Sequence, residues 1–228
     1  MSLVTPSIDS RLARLVPGFR ALSILVEAAP ITHPEVARAA LAQACQQVLN
    51  DDVPWAEAHL SDWDNVFKAF GAKPKRTPCS AAALRKRVLK DGSLQPLDPV
   101  VDIYNAISIR YAVPVGGENL AAYRGEPRLA IARGDEPFDT LKSAEPVVEY
   151  PEPGEVIWRD DIGVTCRRWN WRQGVRTRLD SRAQSMWFIL ESLPSMPLAV
   201  LEEAGAELVS NLQRLMPGAT AQVQLLEL

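Results

Sequence analysis

Residues 98–117 read DPVVDIYNAISIRYAVPVGG, and this stretch carries the clearest structural pattern of the chain. Asp98 can accept hydrogen bonds from the free backbone N–H groups of a helix start, and Pro99 suits the first helical position. Apolar side chains then recur at helical spacing. They are Val100, Tyr104, Ile107 and Tyr111. The pattern predicts a helix with one face in the core, ending before Pro114.

Two polar side chains, Asn105 and Ser108, lie beside this apolar stripe rather than on the solvated face. A half-buried amide needs hydrogen-bond partners. Asn105 therefore either ties a neighbouring loop to the helix or faces a ligand. The double glycine that follows the helix, Gly116 and Gly117, also has two alternative explanations. It either forms a plain turn or lets the backbone approach a ligand closely.

Basic residues are concentrated in two segments, although the net charge is only −3. Residues 73–90 contain seven Lys and Arg and no acid, and residues 167–182 contain six Arg with Asp180 as the only acid. Two basic segments on a mildly acidic body predict local contacts with phosphate groups. A solvated surface is the alternative for either segment.

From residue 128 onward, short β-type segments are separated by Gly, Pro and Asp. The segments are RLAIARG, PVVEY, GEVIWRD, GVTCRRWNWRQ and VRTRL. If the fourth segment is a regular strand, Arg167, Trp169 and Trp171 share one of its faces. That face either holds a phosphate and a base or forms a cation–π pair over the core.

Both ends of the chain combine strands with a packed helix. Residues 19–28 are apolar enough for a buried strand, and a helical stripe follows from Pro34. Near the other end, a strand at 186–190 precedes a helix from Pro197 and a final strand at 221–226. The first strand and helix and the last could pack as related halves around a central sheet. A chain of 228 residues can form a single domain, 1–228, with a sizeable core.

Cysteine and histidine usage argues against several kinds of site. The three cysteines are widely spaced and form no CxxC pair, which argues against a disulfide framework and a structural zinc site. His33 and His59 are expected in surface or capping roles rather than in a Ser-His-Asp triad. No apolar run approaches membrane-spanning length. We therefore expect a cytoplasmic protein with no metal, no cofactor and no membrane partner.

The segment PVVDIYNAISIRYAVPVGG resembles the VD-x-T-N-Y…G-x-P-x-H-A-F-D segment of an editing module, formed by the third and fourth domains of the phenylalanyl-tRNA synthetase β subunit in bacteria. The matching residues are Val101, Asp102, Asn105 and Pro114. The basic segment before it and the sequence RRWNWRQ (167–173) are similar to free-standing relatives of that module. The resemblance extends from Lys73 to about Ser192. It implies an α+β fold with a layered, β-sandwich-like sheet core and flanking helices, and a pocket that hydrolyses the ester of mischarged tRNA.

Two positions depart from the family pattern. Tyr104 stands where the family has Thr, and Gly116 stands where it has His. Both family residues line the pocket that holds a mischarged tyrosyl ester. The resemblance therefore implies that Asn105 is a pocket residue. For Tyr104 and Gly116 it implies only that these positions lie in the pocket, because the residue types differ. We expect that a tyrosyl ester is not the preferred substrate.

The sequence contains no obvious nucleophile with a base beside it, so we expect a positioned water to attack the ester. The predicted catalytic groups are Asn105 and the backbone at Gly116 and Gly117. The predicted substrate-binding residues are Tyr104, Ser108, Val115, Glu118, Glu155, Arg167, Trp169 and Arg172. Glu118 and Glu155 are included because a carboxylate can bind an amino group or a hydroxyl of the substrate. A solvated position is the alternative for each. The predicted contacts with tRNA phosphates are Lys73, Lys75, Arg76, Arg85, Lys86 and Arg87.

Three function classes remain open at this point. The first is a free-standing editing protein that hydrolyses the ester at the aminoacylated 3′ end of mischarged tRNA. The second is a tRNA-binding or amino-acid-binding module without turnover, which the loss of the family's Thr and His favours. The third is a hydrolase of small aminoacyl esters that needs no RNA.

Overall fold

The computed structural model describes residues 6–228, so residues 1–5 of the predicted domain lie outside it. The helices of this part of the chain are α1 (Leu12–Leu15), α2 (Glu35–Asn50), α3 (Ala56–Ala69), α4 (Ser80–Asp91), α5 (Pro99–Tyr111) and α6 (Leu198–Leu215). The strands are β1 (Ser7–Ile8), β2 (Arg20–Glu27), β3 (Val115–Asn119), β4 (Arg128–Ile131), β5 (Phe138–Lys142), β6 (Glu145–Glu149), β7 (Val156–Arg159), β8 (Val164–Arg167), β9 (Arg172–Gln173), β10 (Ser185–Ser192) and β11 (Thr220–Glu227).

A four-stranded antiparallel sheet forms the middle layer, with the strand order β11, β2, β10, β3. Its two central strands, β2 and β10, are apolar on both faces because both faces are covered. On one face, Ile24 of β2 and Phe188 of β10 pack with Ile107 of α5 and Leu208 of α6. This face accounts for the helical stripe that the sequence predicts in α5.

The opposite face of that sheet packs against a second sheet, with the strand order β1, β4, β7, β8, β9. Trp187 of β10 meets Trp158 of β7 edge to face, with ring centroids 5.3 Å apart. Trp63 of α3 closes the same core against Trp169, with ring centroids 5.4 Å apart. Helices, one sheet and a second sheet are therefore stacked in layers, and the predicted α+β fold with a sandwich-like sheet core is confirmed.

The start of α5 follows the sequence pattern closely. The side chain of Asp98 accepts a hydrogen bond from the Val100 N–H at 2.9 Å, and Pro99 occupies the first helical position. Ala112 ends the helix in the left-handed conformation (φ 51°). None of the helices in residues 6–228 is both long enough and apolar enough to cross a membrane.

Two local predictions are wrong, and one alternative that the sequence left open, a turn at the double glycine, is excluded. Residues 164–173 are two short strands joined by a turn, because Arg168 and Trp169 adopt positive φ angles of 47° and 64°. Arg167, Trp169 and Trp171 therefore do not share the face of one strand. The segment VRTRL (175–179) forms only a single bridge, from Arg178 to Glu118. Gly116 and Gly117 lie inside β3 and form no turn.

His59 is buried and does not lie at the surface. Its Nδ1 bonds the carbonyl of Ala112 at 2.8 Å, and its Nε2 accepts the backbone N–H of Leu193 at 3.1 Å. Burial lowers the pKa of His59, so the ring is held in its neutral form. The residue joins the end of α5 to the end of β10, which is a structural role that includes capping.

Candidate functional site

A cleft of about 260 Å³ opens beside the edge strand β3. Its walls come from the first turns of α4, the middle of α5, strands β3 and β10, and the turn after β8. We refer to this space as the central cleft. It brings together Asn105, Tyr104, Val115, Gly116, Gly117, Glu118 and Trp169 of the predicted site residues.

The outer edge of β3 borders the central cleft at Val115 and Gly117, and the carbonyl of Gly117 accepts the Gln173 amide at 2.6 Å. Glu191 donates its backbone N–H to the carbonyl of Pro114 at 3.0 Å, and Ile189 lies opposite Gly116. Because antiparallel strands alternate the direction of their backbone groups, the N–H groups of Val115 and Gly117 point away from β10. The backbone of Gly116, in contrast, belongs to the ladder with β10, so its predicted role as a backbone donor to substrate is wrong.

Packing accounts for the two glycines of β3. A Cβ added at Gly117 would lie 2.8 Å from Cε1 of Tyr104, and one added at Gly116 would lie 3.2 Å from Cγ2 of Ile189. Gly117 therefore allows the Tyr104 ring to lie directly on the strand. That ring also contacts the core, 6.0 Å from the ring centroid of Phe188. Tyr104 thus packs against the core while one part of it lines the central cleft.

Asn105 lies on α5 and faces the central cleft. Only 9% of its surface is exposed. Within residues 6–228, its side-chain amide makes no hydrogen bond, which is unusual for a buried amide. Asn105 therefore does not tie a loop to the helix. Its amide is available to a ligand.

Glu118 is the polar residue of β3 on the same side of the sheet as Trp187. It is only 4% exposed, and its Oε2 atom has no hydrogen-bond partner in the described structure. Burial raises the pKa of Glu118 to about 7, and the hydroxyls of Thr177 and Tyr123 with the amide of Gln173 limit that rise. The alternative of a solvated Glu118 is therefore wrong. Glu118 lines the central cleft, and its contact with a substrate stays a prediction.

Glu191 is a second buried carboxylate of the central cleft, and the sequence analysis missed it. Its Oε1 accepts the indole N–H of Trp158 at 2.9 Å and that of Trp169 at 2.8 Å, and its Oε2 accepts the Asn170 amide at 3.0 Å. Burial raises the pKa of Glu191 to about 7, although the hydrogen bonds from these three donors act to lower it. The available signal was a lone acid at the end of the apolar strand SMWFILES.

The two carboxylates mark opposite ends of the central cleft. Glu118 pairs with Trp187, and Glu191 follows four residues later on the same strand and the same face. At about 3.3 Å per residue, their positions are about 13 Å apart along the sheet. Gly116 lies between them and leaves the floor of the cleft open, because it has no side chain.

A family model described as the B3/4 domain matches residues 62–200, which is more than half of the chain. The chain belongs to the B3/4 domain family. An N-terminal fragment of the phenylalanyl-tRNA synthetase β subunit from Pyrococcus horikoshii is similar in structure, with a TM-score of 0.48 and 12% sequence identity. The similarity covers 96% of this chain and 50% of that fragment, so the chain spans about half its length. No curated protein matches the chain.

Three charged residues that the sequence placed at the site lie elsewhere in this B3/4 domain. Arg167 bonds Glu155 through Nε at 3.0 Å and Nη2 at 2.8 Å, and neither side chain lines the central cleft. Arg172 donates to the carbonyl of Leu141 at 3.1 Å and packs over Phe138. Arg167 and Arg172 also contact the separate two-stranded β5–β6 hairpin, so these side chains join it to the second sheet. Of Arg167, Trp169 and Arg172, only Trp169 lines the cleft.

Ser108 is also outside the central cleft of the B3/4 domain. It is completely buried, and its Oγ has no hydrogen-bond partner in the described residues. The prediction that it binds substrate is wrong.

Within residues 6–228, no group of three or more His, Cys, Asp or Glu side chains is placed to hold a metal ion.

Arg85 is buried, unlike the other basic residues that are predicted to contact tRNA phosphates. Its side chain is 4% exposed, and it donates to the carbonyl of Ile109 at 2.6 Å and to Asp52. It therefore anchors α4 to α5 and cannot contact a tRNA phosphate. The other predicted contacts are exposed, and none of them forms an ion pair with the described residues. They are Lys73, Lys75, Arg76, Lys86 and Arg87.

We expect Arg85→Ala to lower the free energy of unfolding by about 2 kcal/mol, because it leaves the Ile109 carbonyl and Asp52 without their donor. Lys86→Ala is the matched control, since Lys86 is its exposed neighbour on the same helix. Urea denaturation of both variants tests the expectation. An equal stability of the two variants would show that Arg85 has no anchoring role.

Proposed function

We propose that the protein hydrolyses the ester bond of an aminoacyl group carried on the 3′ end of tRNA. The supporting observation is the convergence of unused polar groups in the central cleft. Asn105, the β3 residues Val115 and Gly117, and Glu118 with its unpartnered Oε2 line the same amino-acid-sized space. Few sites leave so many buried polar atoms free unless a ligand takes them.

The chemistry needs only water as the nucleophile, because an aminoacyl ester is already activated. Water attacks the carbonyl carbon, and the N–H groups of Val115 and Gly117 with the Asn105 amide stabilise the negative charge on the carbonyl oxygen. The bond from carbon to the ribose oxygen then breaks, and that oxygen leaves with a proton taken from the attacking water. Each preorganised donor of this kind contributes roughly 10²–10³ in kcat.

The opposite end of the cleft suits the amino-acid side chain. Trp158 and Trp169 provide apolar walls there, and the unpartnered Oδ1 of Asn170 provides a polar acceptor. Gly116 widens the site and Tyr104 narrows it, compared with the family residues at those positions. The expectation that a tyrosyl ester is not preferred follows from these changes in shape and remains part of the proposal.

A panel of aminoacyl-tRNAs, each incubated with the protein, tests the proposal directly. Release of one amino acid well above the rate without protein supports it. Tight binding of the same tRNAs without release would favour the alternative, a tRNA-binding or amino-acid-binding module without turnover. Equal turnover of a short aminoacyl ester would favour a hydrolase that needs no RNA.

The exposed basic surface beside the cleft is the proposed tRNA contact. Replacing Lys75, Lys86 and Arg87 by Glu is expected to weaken tRNA binding. The plot of log affinity against log salt should also become less steep, by roughly one unit of slope for each lost phosphate contact. The control reverses the same number of charges at exposed residues outside both basic segments. These are Arg14, Arg38 and Lys142. An equal salt slope for both triple variants would remove this surface from tRNA binding.

A further inference from the structure

The carboxylate of Glu118 has no positively charged partner in the central cleft. Among the described residues that line the cleft, none is Lys, Arg or His. The nearby Arg176 is already paired, since its guanidinium bonds Asp160 at 2.8 Å and 2.9 Å. An ionised carboxylate that is buried without a counter-charge is costly. A ligand that supplies a positive charge would remove this cost.

Besides the paired Arg176, one more guanidinium lies near Glu118, that of the exposed Arg178, whose backbone forms a bridge with Glu118. The remaining titratable groups around Glu118 are neutral. Tyr104, Tyr123 and Cys166 face it, and burial raises the pKa of each above its ordinary value. Thr177 and Gln173 complete its surroundings with neutral polar groups. These side chains can orient the carboxylate but cannot balance its charge. The free Oε2 atom is therefore an acceptor for a donor that comes from outside the protein.

The cross-strand neighbour of Glu118 carries no charge either. Glu118 lies directly opposite Trp187, so their Cβ atoms are about 5 Å apart. The Trp187 ring is held by a hydrogen bond to Ser23 and by edge-to-face contacts with Trp158 and Tyr123. The sheet beside the carboxylate is therefore apolar, and a bound protonated amine would have Glu118 as its counter-charge.

We propose that Glu118 binds the protonated α-amino group of the substrate, so that the site accepts esters of free amino acids and rejects esters whose amino group is acylated. The inference rests on the proposed function. Glu118 directly follows Gly117, whose N–H faces the carbonyl oxygen in that function. The α-nitrogen of an aminoacyl ester is only two bonds from the carbonyl carbon. One substrate can therefore reach both groups at once.

The test compares three forms of one aminoacyl-tRNA, namely the free amine, the N-methyl amine and the N-formyl derivative. The last two are similar in size, but only the N-methyl group keeps the positive charge. We expect the free and N-methyl esters to have similar kcat/KM values, and the N-formyl ester to be hydrolysed roughly 30-fold more slowly or worse, as for a buried charge that loses its partner. Equal rates for N-methyl and N-formyl esters would overturn the inference.

Glu118→Gln separates amine binding from a role in activating water. We expect this variant to lose turnover of the free and N-methyl esters and to keep the rate of the N-formyl ester. An equal loss on all three esters would overturn the inference, because the carboxylate would then act on the water. Glu126→Gln, an exposed carboxylate outside the cleft, is the control for net charge. Thermal unfolding of each variant checks its folding.

A binding measurement keeps this inference separate from the proposed function. If the folded protein hydrolyses none of the esters, the proposed function fails. Calorimetry with a non-hydrolysable aminoacyl amide of the terminal adenosine then tests Glu118 alone. We expect tighter binding than for the N-formyl analogue, with release of protons near pH 7 as the carboxylate becomes ionised. Equal affinity of the two analogues, without proton release, would overturn the inference.

Discussion

Replacing Glu191 by leucine is expected to lower the free energy of unfolding by about 3–5 kcal/mol. The carboxylate accepts hydrogen bonds from the indoles of Trp158 and Trp169 and from the amide of Asn170. Leucine leaves these three buried donors without an acceptor, and each such donor costs about 1–3 kcal/mol. The apolar replacement recovers part of this loss by removing a buried carboxylate. Urea denaturation at neutral pH gives the value.

Glu191→Gln is the matched control for this prediction. Its carbonyl oxygen still accepts from both indoles, and its new amide group can donate to Oδ1 of Asn170. That oxygen has no hydrogen-bond partner at present. A rotation of the Asn170 amide is therefore enough to restore the network. We expect the Gln variant to be close to wild type in stability. A Leu variant as stable as the Gln variant would show that the network is not structural.

The elements that local sequence determines were predicted well. The start of α5 follows from Asp98 and Pro99, since capping depends only on residues within one turn. The strands β2 and β10 follow from their apolar composition, and α6 follows from its stripe. The order of these elements was compatible with a central sheet. The family resemblance supplied the α+β class and the layered arrangement of the sheets.

The edge strand β3 could not be predicted, because its structure depends on a distant partner. The sequence PVGG is typical of a turn, but pairing with β10 holds residues 115–119 in an extended conformation. Both glycines are needed for contacts with Tyr104 and Ile189, residues that lie far away in sequence or on another element. The double glycine therefore indicated a position that requires glycine, but the reason is close packing in a strand and not a turn.

Charge patterns also failed to distinguish burial from exposure. Arg85 lies among exposed basic residues in the sequence, yet it is directed into the gap between α4 and α5. Glu191 is the opposite case, a single acid at the end of an apolar strand that carries no motif. Tertiary contacts alone bring it to Trp158, Trp169 and Asn170. Asn105 and the β3 residues that the sequence singled out do line one cleft, and their roles stay predictions, while the second carboxylate of that cleft was found only in the structure.

Asn105→Ala is expected to lower kcat for the preferred aminoacyl-tRNA roughly 10²-fold or more, as for the loss of one donor to a developing oxyanion. The amide faces the central cleft and makes no hydrogen bond within residues 6–228, so its removal leaves no protein group unpaired. Stability and tRNA affinity should therefore stay close to wild type, because the proposed phosphate contacts lie on another surface. Single-turnover kinetics and a filter-binding titration measure the two quantities separately.

Ser108→Ala is the control, since Ser108 is on the same helix but outside the cleft. We expect this variant to keep full turnover. A full rate for Asn105→Ala would remove the amide from the chemistry and leave the N–H groups of Val115 and Gly117 as the remaining donors. A parallel loss of tRNA affinity would instead assign Asn105 to binding, because an interaction made equally in the ground and transition states changes KM and not kcat.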